Sequence, residues 1–190
     1  MKGERVMPML PLDTFNQLLA LGTLALLIVA AALLAAYLFR LDVGSFLGAW
    51  GMWIALIAAL GGIAGTLIHS ELYGLQPCPL CWWQRIFLYP QAVLFSLALL
   101  RRLSGEALRV VIDSSIALSI IGLGIALYHH ALQVFPYGSL PCPAQGEISC
   151  AQILFLEFGF LTYPLMAAVL FGFLIVLMFH VRRERGSLSR

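Results

Sequence analysis

The residues best suited to chemistry are four cysteines, Cys78, Cys81, Cys142 and Cys150. They fall into two pairs. Cys78 and Cys81 form a C-x-x-C, and Cys142 and Cys150 stand with seven residues between them. A C-x-x-C can be redox-active, can ligate a metal or can staple a loop. Two dithiols on one face of a membrane admit a relay, one meeting an aqueous partner and the other a second acceptor. They equally admit two static disulfides, or a four-cysteine zinc site. Local sequence favours the redox reading for the first pair. Pro79 suits the first position of a helix, so Cys81 is expected in the first helical turn. Unpaired backbone N–H groups and the helix dipole there favour a thiolate, the species that attacks disulfides and quinones.

Arg85 follows Cys81 by four residues, which places it on the same helix face one turn deeper. It is the only charge within an otherwise uncharged apolar run. An arginine inside a membrane boundary is costly and usually faces the protein interior for a purpose. It could stabilise the Cys81 thiolate and hydrogen-bond a quinone oxygen as the ring is reduced. The bland alternative is a guanidinium that snorkels to lipid headgroups. His129 and His130 close a later apolar run at the same level as the C-x-x-C. His69 and His180 read as boundary residues, and Asp113 as a residue packed with polar loop groups. No metal is assigned, because a site opening onto a membrane face has no evident need for zinc.

The elements that must position these residues are membrane helices. Of the 190 residues 62% are hydrophobic and only 11% are charged, far from the balance of a soluble domain. The net charge of +2, with no basic run outside short loops, gives no reason to expect nucleic acid as a partner. Five runs are long enough to span a bilayer core, which takes about 20 apolar residues as helix. They are 18–39, 46–69, 82–100, 110–132 and 158–180. Helices are the expected form, because lipid offers no partners for backbone polar groups. The first run exceeds the apolar segment of a signal peptide.

Charge alternates between the connections. Arg40, Arg101, Arg102, Arg109, Arg182, Arg183, Arg185 and Arg190 fall in one set of loops and the tail, while 70–77 and 133–157 hold no Lys or Arg. The positive-inside rule puts the arginines in the cytoplasm and both cysteine loops outside. Five spans then place Lys2 and Arg5 outside, against the rule. An incomplete crossing by the first run would remove that conflict. Trp50, Trp53, Trp82 and Trp83 read as interfacial belt residues, and Gly61 with Gly65 as a close-packing pair.

The stretch Pro77-Cys78-Pro79-Leu80-Cys81-Trp82-Trp83-Gln84-Arg85-Ile86-Phe87-Leu88-Tyr89-Pro90 resembles the DsbB/BdbC family of disulfide-forming membrane proteins, the BdbC branch especially. Tyr128-His129-His130-Ala131-Leu132-Gln133 and Phe158-Gly159-Phe160-Leu161-Thr162-Tyr163-Pro164 support it. The resemblance spans about residues 46–180. It implies an all-α integral membrane protein, a four-helix bundle, here with one additional N-terminal helix. The expected divisions are an extension at 1–45, the bundle at 46–180 and a basic cytoplasmic tail at 181–190.

The family further implies a protein-dithiol:quinone oxidoreductase in the cytoplasmic (inner) membrane. Its partners would be a thioredoxin-like dithiol protein of the DsbA/BdbD type and the membrane quinone pool, ubiquinone or menaquinone. By position, Cys78 and Cys81 match the pair that reduces the quinone, and Arg85 and His129 match quinone-site residues. Cys142 matches the cysteine that meets the soluble partner, with Cys150 its mate. Two features depart from the pattern: the extra helix, to which no role is assigned, and the short spacing of the second pair. Competing readings are a vitamin-K-epoxide-reductase-like quinone reductase and a non-catalytic scaffold with stapled loops. In the former the active C-x-x-C lies near the end of the bundle.

Overall fold

A computed structural model describes residues 10–41, 43–135, 149–153 and 155–187. It contains five helices: α1 (Leu12–Leu38), α2 (Gly44–Leu67), α3 (Pro79–Leu100), α4 (Gly105–Val134) and α5 (Tyr163–Ser187). Among the described residues four helices are long and apolar enough to cross a membrane. They are α1, α2 with its continuation to Leu72, α4, and α5 to Glu184. The remaining helix, α3, carries Gln84, Arg85 and Gln91 on its length.

Local chemistry explains the helix ends that matter. Cys78 is the N-cap of α3: its sulfur accepts from the backbone N–H of Cys81 at 3.4 Å, and Pro79 takes the first helical position. The side chain thus satisfies one of the orphan donors of the first turn. At its far end α2 widens into a π-helical turn at Ile68–Leu72, a feature often found at functional sites. The last helix begins at Tyr163, not at 158 as the apolar run suggests. Phe158 and Gly159 take left-handed φ values of 54° and 77°, incompatible with helix, and fold a turn closed by Leu161 N–H donating to Glu157 O at 2.9 Å. Thr162 then caps α5, accepting from Leu165 N–H.

Packing centres on α5, which contacts α1, α2 and α4, while α3 packs between α2 and α4. In lipid, apolar burial gives helices little reason to associate, so close packing and polar cross-links carry the weight. Both are present. Gly122 of α4 lets the Phe171 ring of α5 lie against the helix backbone, where an added Cβ would strike the ring. Gln91 is fully buried on α3 and its Oε1 accepts from Ser115 Oγ at 2.7 Å and Ser119 Oγ at 3.2 Å on α4. Such interhelical bonds contribute about 0.6 kcal/mol each on average.

The additional helix is docked rather than free. Near its start Asn16 is buried against α2 and α5. Near its end Leu33 O accepts from His180 Nε2 at 2.8 Å. His180, which reads from sequence as a boundary residue, is only 2% exposed and holds α1 to α5. Asp113 pairs with Arg182 at 3.3 Å across α4 and α5. Arg101, Arg102 and Arg182 stand at the end of the bundle opposite the C-x-x-C.

Candidate active site

Three of the four cysteines meet at one end of the bundle. Cys78, Cys150, Leu80 and Leu132 form a buried cluster, with Cys81 packed against it. Cys142 lies outside the described residues. The Cys78 and Cys81 sulfurs are 2.9 Å apart, so one thiol can donate directly to the other. Cys78 precedes α3, which Cys81 enters in its first turn. Cys78 is pushed up to about 12, chiefly by the proton it shares with Cys81 and then by burial.

His129 sits behind Cys78. Gln84 Nε2 donates to its Nδ1 at 3.0 Å, which leaves the ring proton on Nε2. That N–H points at Cys150 O, 3.2 Å away, and at Cys78 Sγ, 3.6 Å away. Gln133, one turn further along α4, donates to Gln152 O at 3.2 Å. Two side chains on one face of α4 therefore hold the Cys150 segment beside Cys78. His130 turns the other way and bonds Thr162 Oγ1 at 2.9 Å.

On the opposite side, Cys81 faces a cavity of about 420 Å³. Gln84 and Arg85 of α3, Thr66 and His69 of α2 and Tyr163 of α5 stand with Cys81 at its polar end, and the rest of its lining is largely apolar. Arg85 is 7% exposed; its Nη2 donates to Thr66 O at 2.9 Å and its guanidinium stacks over Trp82 at 5.1 Å. One guanidinium nitrogen is thus occupied, and the rest of this multi-donor group belongs to a residue lining the cavity. His69 reads as interfacial in sequence, yet it is buried: Nδ1 bonds Gly65 O at 2.8 Å and Nε2 meets Asn16 at 2.9 Å. The Tyr163 ring packs edge-on against His69 at 4.6 Å.

Cys78, Cys81, Cys150, Arg85 and His129, each singled out from sequence, thus converge on one end. His129 and Arg85 are on different sides of the dithiol, however, and His129 does not line the cavity. Sequence reasoning missed Asn16, His69 and Tyr163, which come from three helices. It also left Gln84 and Gln133 without roles, although both stand in the conspicuous motifs. The ligand atoms of Cys78, Cys81 and His129 lie within 4.8 Å of one another, close enough to hold a soft metal ion with three ligands.

Comparison with known proteins places the whole chain rather than its site. The profile of the family described as "Disulfide bond formation protein DsbB" matches residues 48–181. A probable disulfide formation protein C from Halalkalibacterium halodurans is 32% identical over 73% of this chain and 93% of its own length. A probable disulfide formation protein from Oceanobacillus iheyensis is 33% identical over 71% and 88%. An SPbeta prophage-derived disulfide bond formation protein B from Bacillus subtilis is 40% identical over 58% and 71%. No solved structure matches the chain significantly. With most of its length covered by the profile and by relatives above 30% identity, the chain belongs to the DsbB family of disulfide bond formation proteins.

Proposed function

We propose that the chain is a membrane protein-dithiol:quinone oxidoreductase that reoxidises a soluble thioredoxin-like dithiol protein, supporting disulfide formation in exported proteins. The observation that carries this is the placement of one dithiol between two surroundings. Cys78 packs with Cys150 on the loop side, and Cys81 opens into an apolar cavity beside a buried arginine. The cavity fits a quinone: its walls are mostly apolar, and an always-charged donor group stands at the polar end. When bound, a quinone supplies a two-electron acceptor that leaves as the quinol.

The chain's own residues account for the remaining work. A reduced partner gives two electrons and two protons to the Cys142–Cys150 disulfide by thiol–disulfide exchange, and becomes a disulfide itself. The resulting dithiol reduces the Cys78–Cys81 disulfide, with Cys150 already packed beside Cys78. His129 Nε2–H is placed to stabilise charge on Cys78 sulfur during that exchange. Cys81 then carries the thiolate on the cavity side, and Arg85 provides fixed positive charge where negative charge builds. Loss of two electrons and two protons from the dithiol, matching what a quinone takes up on becoming a quinol, restores the Cys78–Cys81 disulfide.

In this reading α3 is a fifth membrane span, 46–180 is the catalytic bundle, 1–45 is an extension and 181–190 is a basic tail. Both cysteine segments face out of the cell across the cytoplasmic membrane, and the arginine end faces the cytoplasm. The test uses the full chain in liposomes with a short-chain ubiquinone or menaquinone, driven by a reduced thioredoxin-like protein. Turnover that vanishes in Cys81→Ser is expected. Folded protein without turnover on either quinone class would overturn the assignment in favour of a stapled scaffold. The three-ligand geometry at Cys78, Cys81 and His129 supports a second reading, a zinc site. Stoichiometric zinc in the purified protein, retained during turnover assays, would favour it.

A further inference from the structure

The cavity has a wall that the family profile does not include. The profile match begins at residue 48, yet Leu19, Gly22, Thr23 and Leu26 of α1 line the cavity. Two polar clamps hold this helix in place: Asn16 against His69 and Tyr163, and Leu33 O against His180. Between the clamps α1 lies along α5 and faces α2 across the cavity. Gly22 on α1 and Gly61 on α2 are both exposed while lining it, and a Cβ added at either meets no atom within 4 Å. The cavity is therefore open sideways between two glycines.

Depth fits the opening to one kind of ligand. At 1.5 Å per residue, Gly22 is roughly 9 Å below Asn16 and Gly61 roughly 12 Å below His69. The polar groups Cys81, Arg85 and His69 are at one end of the cavity, and the opening is well down in the apolar part of the helices. A quinone has that same division, a ring with two oxygens and an apolar prenyl chain. A cavity of about 420 Å³ takes a substituted ring but not a long chain, which must leave by an apolar route.

We propose that α1 and α2 form a lateral portal through which the prenyl chain of the quinone passes into the bilayer, with Gly22 and Gly61 as its two lips. This rests on the quinone reading above and adds a role for the extra helix in selecting chain length. A leucine at either lip fills the opening without harming the helix, since leucine is the better helix former.

The experiment compares quinone reduction by full-length wild type, Gly22→Leu, Gly61→Leu and Gly124→Leu in liposomes. Gly124 is an equally unobstructed glycine on α4, away from the cavity. Each protein is assayed with ubiquinone carrying a single isoprene unit and with long-chain ubiquinone. Both lip variants should lower kcat/KM for the long-chain quinone by about tenfold relative to the short one, the discrimination that a few methylenes give in an apolar site. Gly124→Leu should leave that ratio unchanged. Equal losses on both quinones in the lip variants, or a ratio shift in Gly124→Leu, would overturn the portal while leaving quinone reduction standing. Wild type that reduces neither quinone would overturn the quinone reading and the portal with it.

Discussion

The two sulfurs of the C-x-x-C are 2.9 Å apart and inhabit different surroundings. Cys78 is buried among Leu80, Leu132 and Cys150, with His129 N–H aimed at it. Cys81 is half-buried and faces the cavity that Arg85 and His69 share. The protein side holds fixed polar contacts; the cavity side offers open apolar space around one cation. A dithiol set on such a boundary can exchange with a protein thiol through one sulfur and present the other to a lipid-soluble acceptor. The same contrast separates the two residues matched to a quinone site in sequence. Arg85 is on the cavity side, and His129 is on the side of Cys78 and Cys150.

The largest expected effect comes from removing either sulfur. Cys81→Ser and Cys78→Ser should each lower partner-driven quinone reduction by about a thousandfold or more, as loss of a nucleophile does, measured as turnover in liposomes. Normal turnover in either would abolish the distinction between the two sides. Next is Arg85→Ala, which should cost about 10²–10³-fold in kcat/KM for quinone, the usual loss for a group stabilising developing charge. Rapid mixing of the oxidised protein with the reduced partner, without quinone, should show electron transfer to the Cys78–Cys81 pair unchanged. If exchange slows as much as quinone reduction, Arg85 acts on both sides and the comparison fails.

His129→Ala tests the other side. Exchange between the two cysteine pairs should slow by about a hundredfold at most, while the quinone KM stays near wild type. A raised quinone KM with normal exchange would return His129 to the cavity. The smallest effect concerns protonation. The hydrogen bond with Cys81 and then burial push the Cys78 thiol up to about 12, so it keeps its proton through neutral pH. Cys81→Ala removes the larger cause, so the Cys78 midpoint, followed by thiolate ultraviolet absorbance, should move down; an unmoved midpoint would show that the two sulfurs do not share a proton.

Much of this was legible beforehand, for physical reasons. Long apolar runs favour helices in lipid, and Pro79 takes the first helical position that proline favours. The four-residue spacing of Cys81 and Arg85 places them on one face without tertiary information. Residues whose meaning depends on distant partners were not legible. Asn16 meets His69 across 53 positions of chain, and His180 clamps Leu33 from a helix near the other end of the sequence. Neither leaves a periodic trace. The start of α5 was displaced because left-handed φ values at Phe158 and Gly159 interrupt a run that composition alone reads as helix. The sequence puts His129 at the C-x-x-C end of the bundle, but only the hydrogen bonds of its two nitrogens show that it faces Cys78.

The most direct measurement is the visible charge-transfer absorption of a thiolate against a quinone, recorded on single-cysteine variants of the C-x-x-C. Cys78→Ser keeps Cys81 facing the cavity, and added quinone should produce the band. Cys81→Ser keeps only the sulfur on the protein side, and no band should form. A band in Cys81→Ser and none in Cys78→Ser would contradict the assignment of the two sulfurs to their two sides.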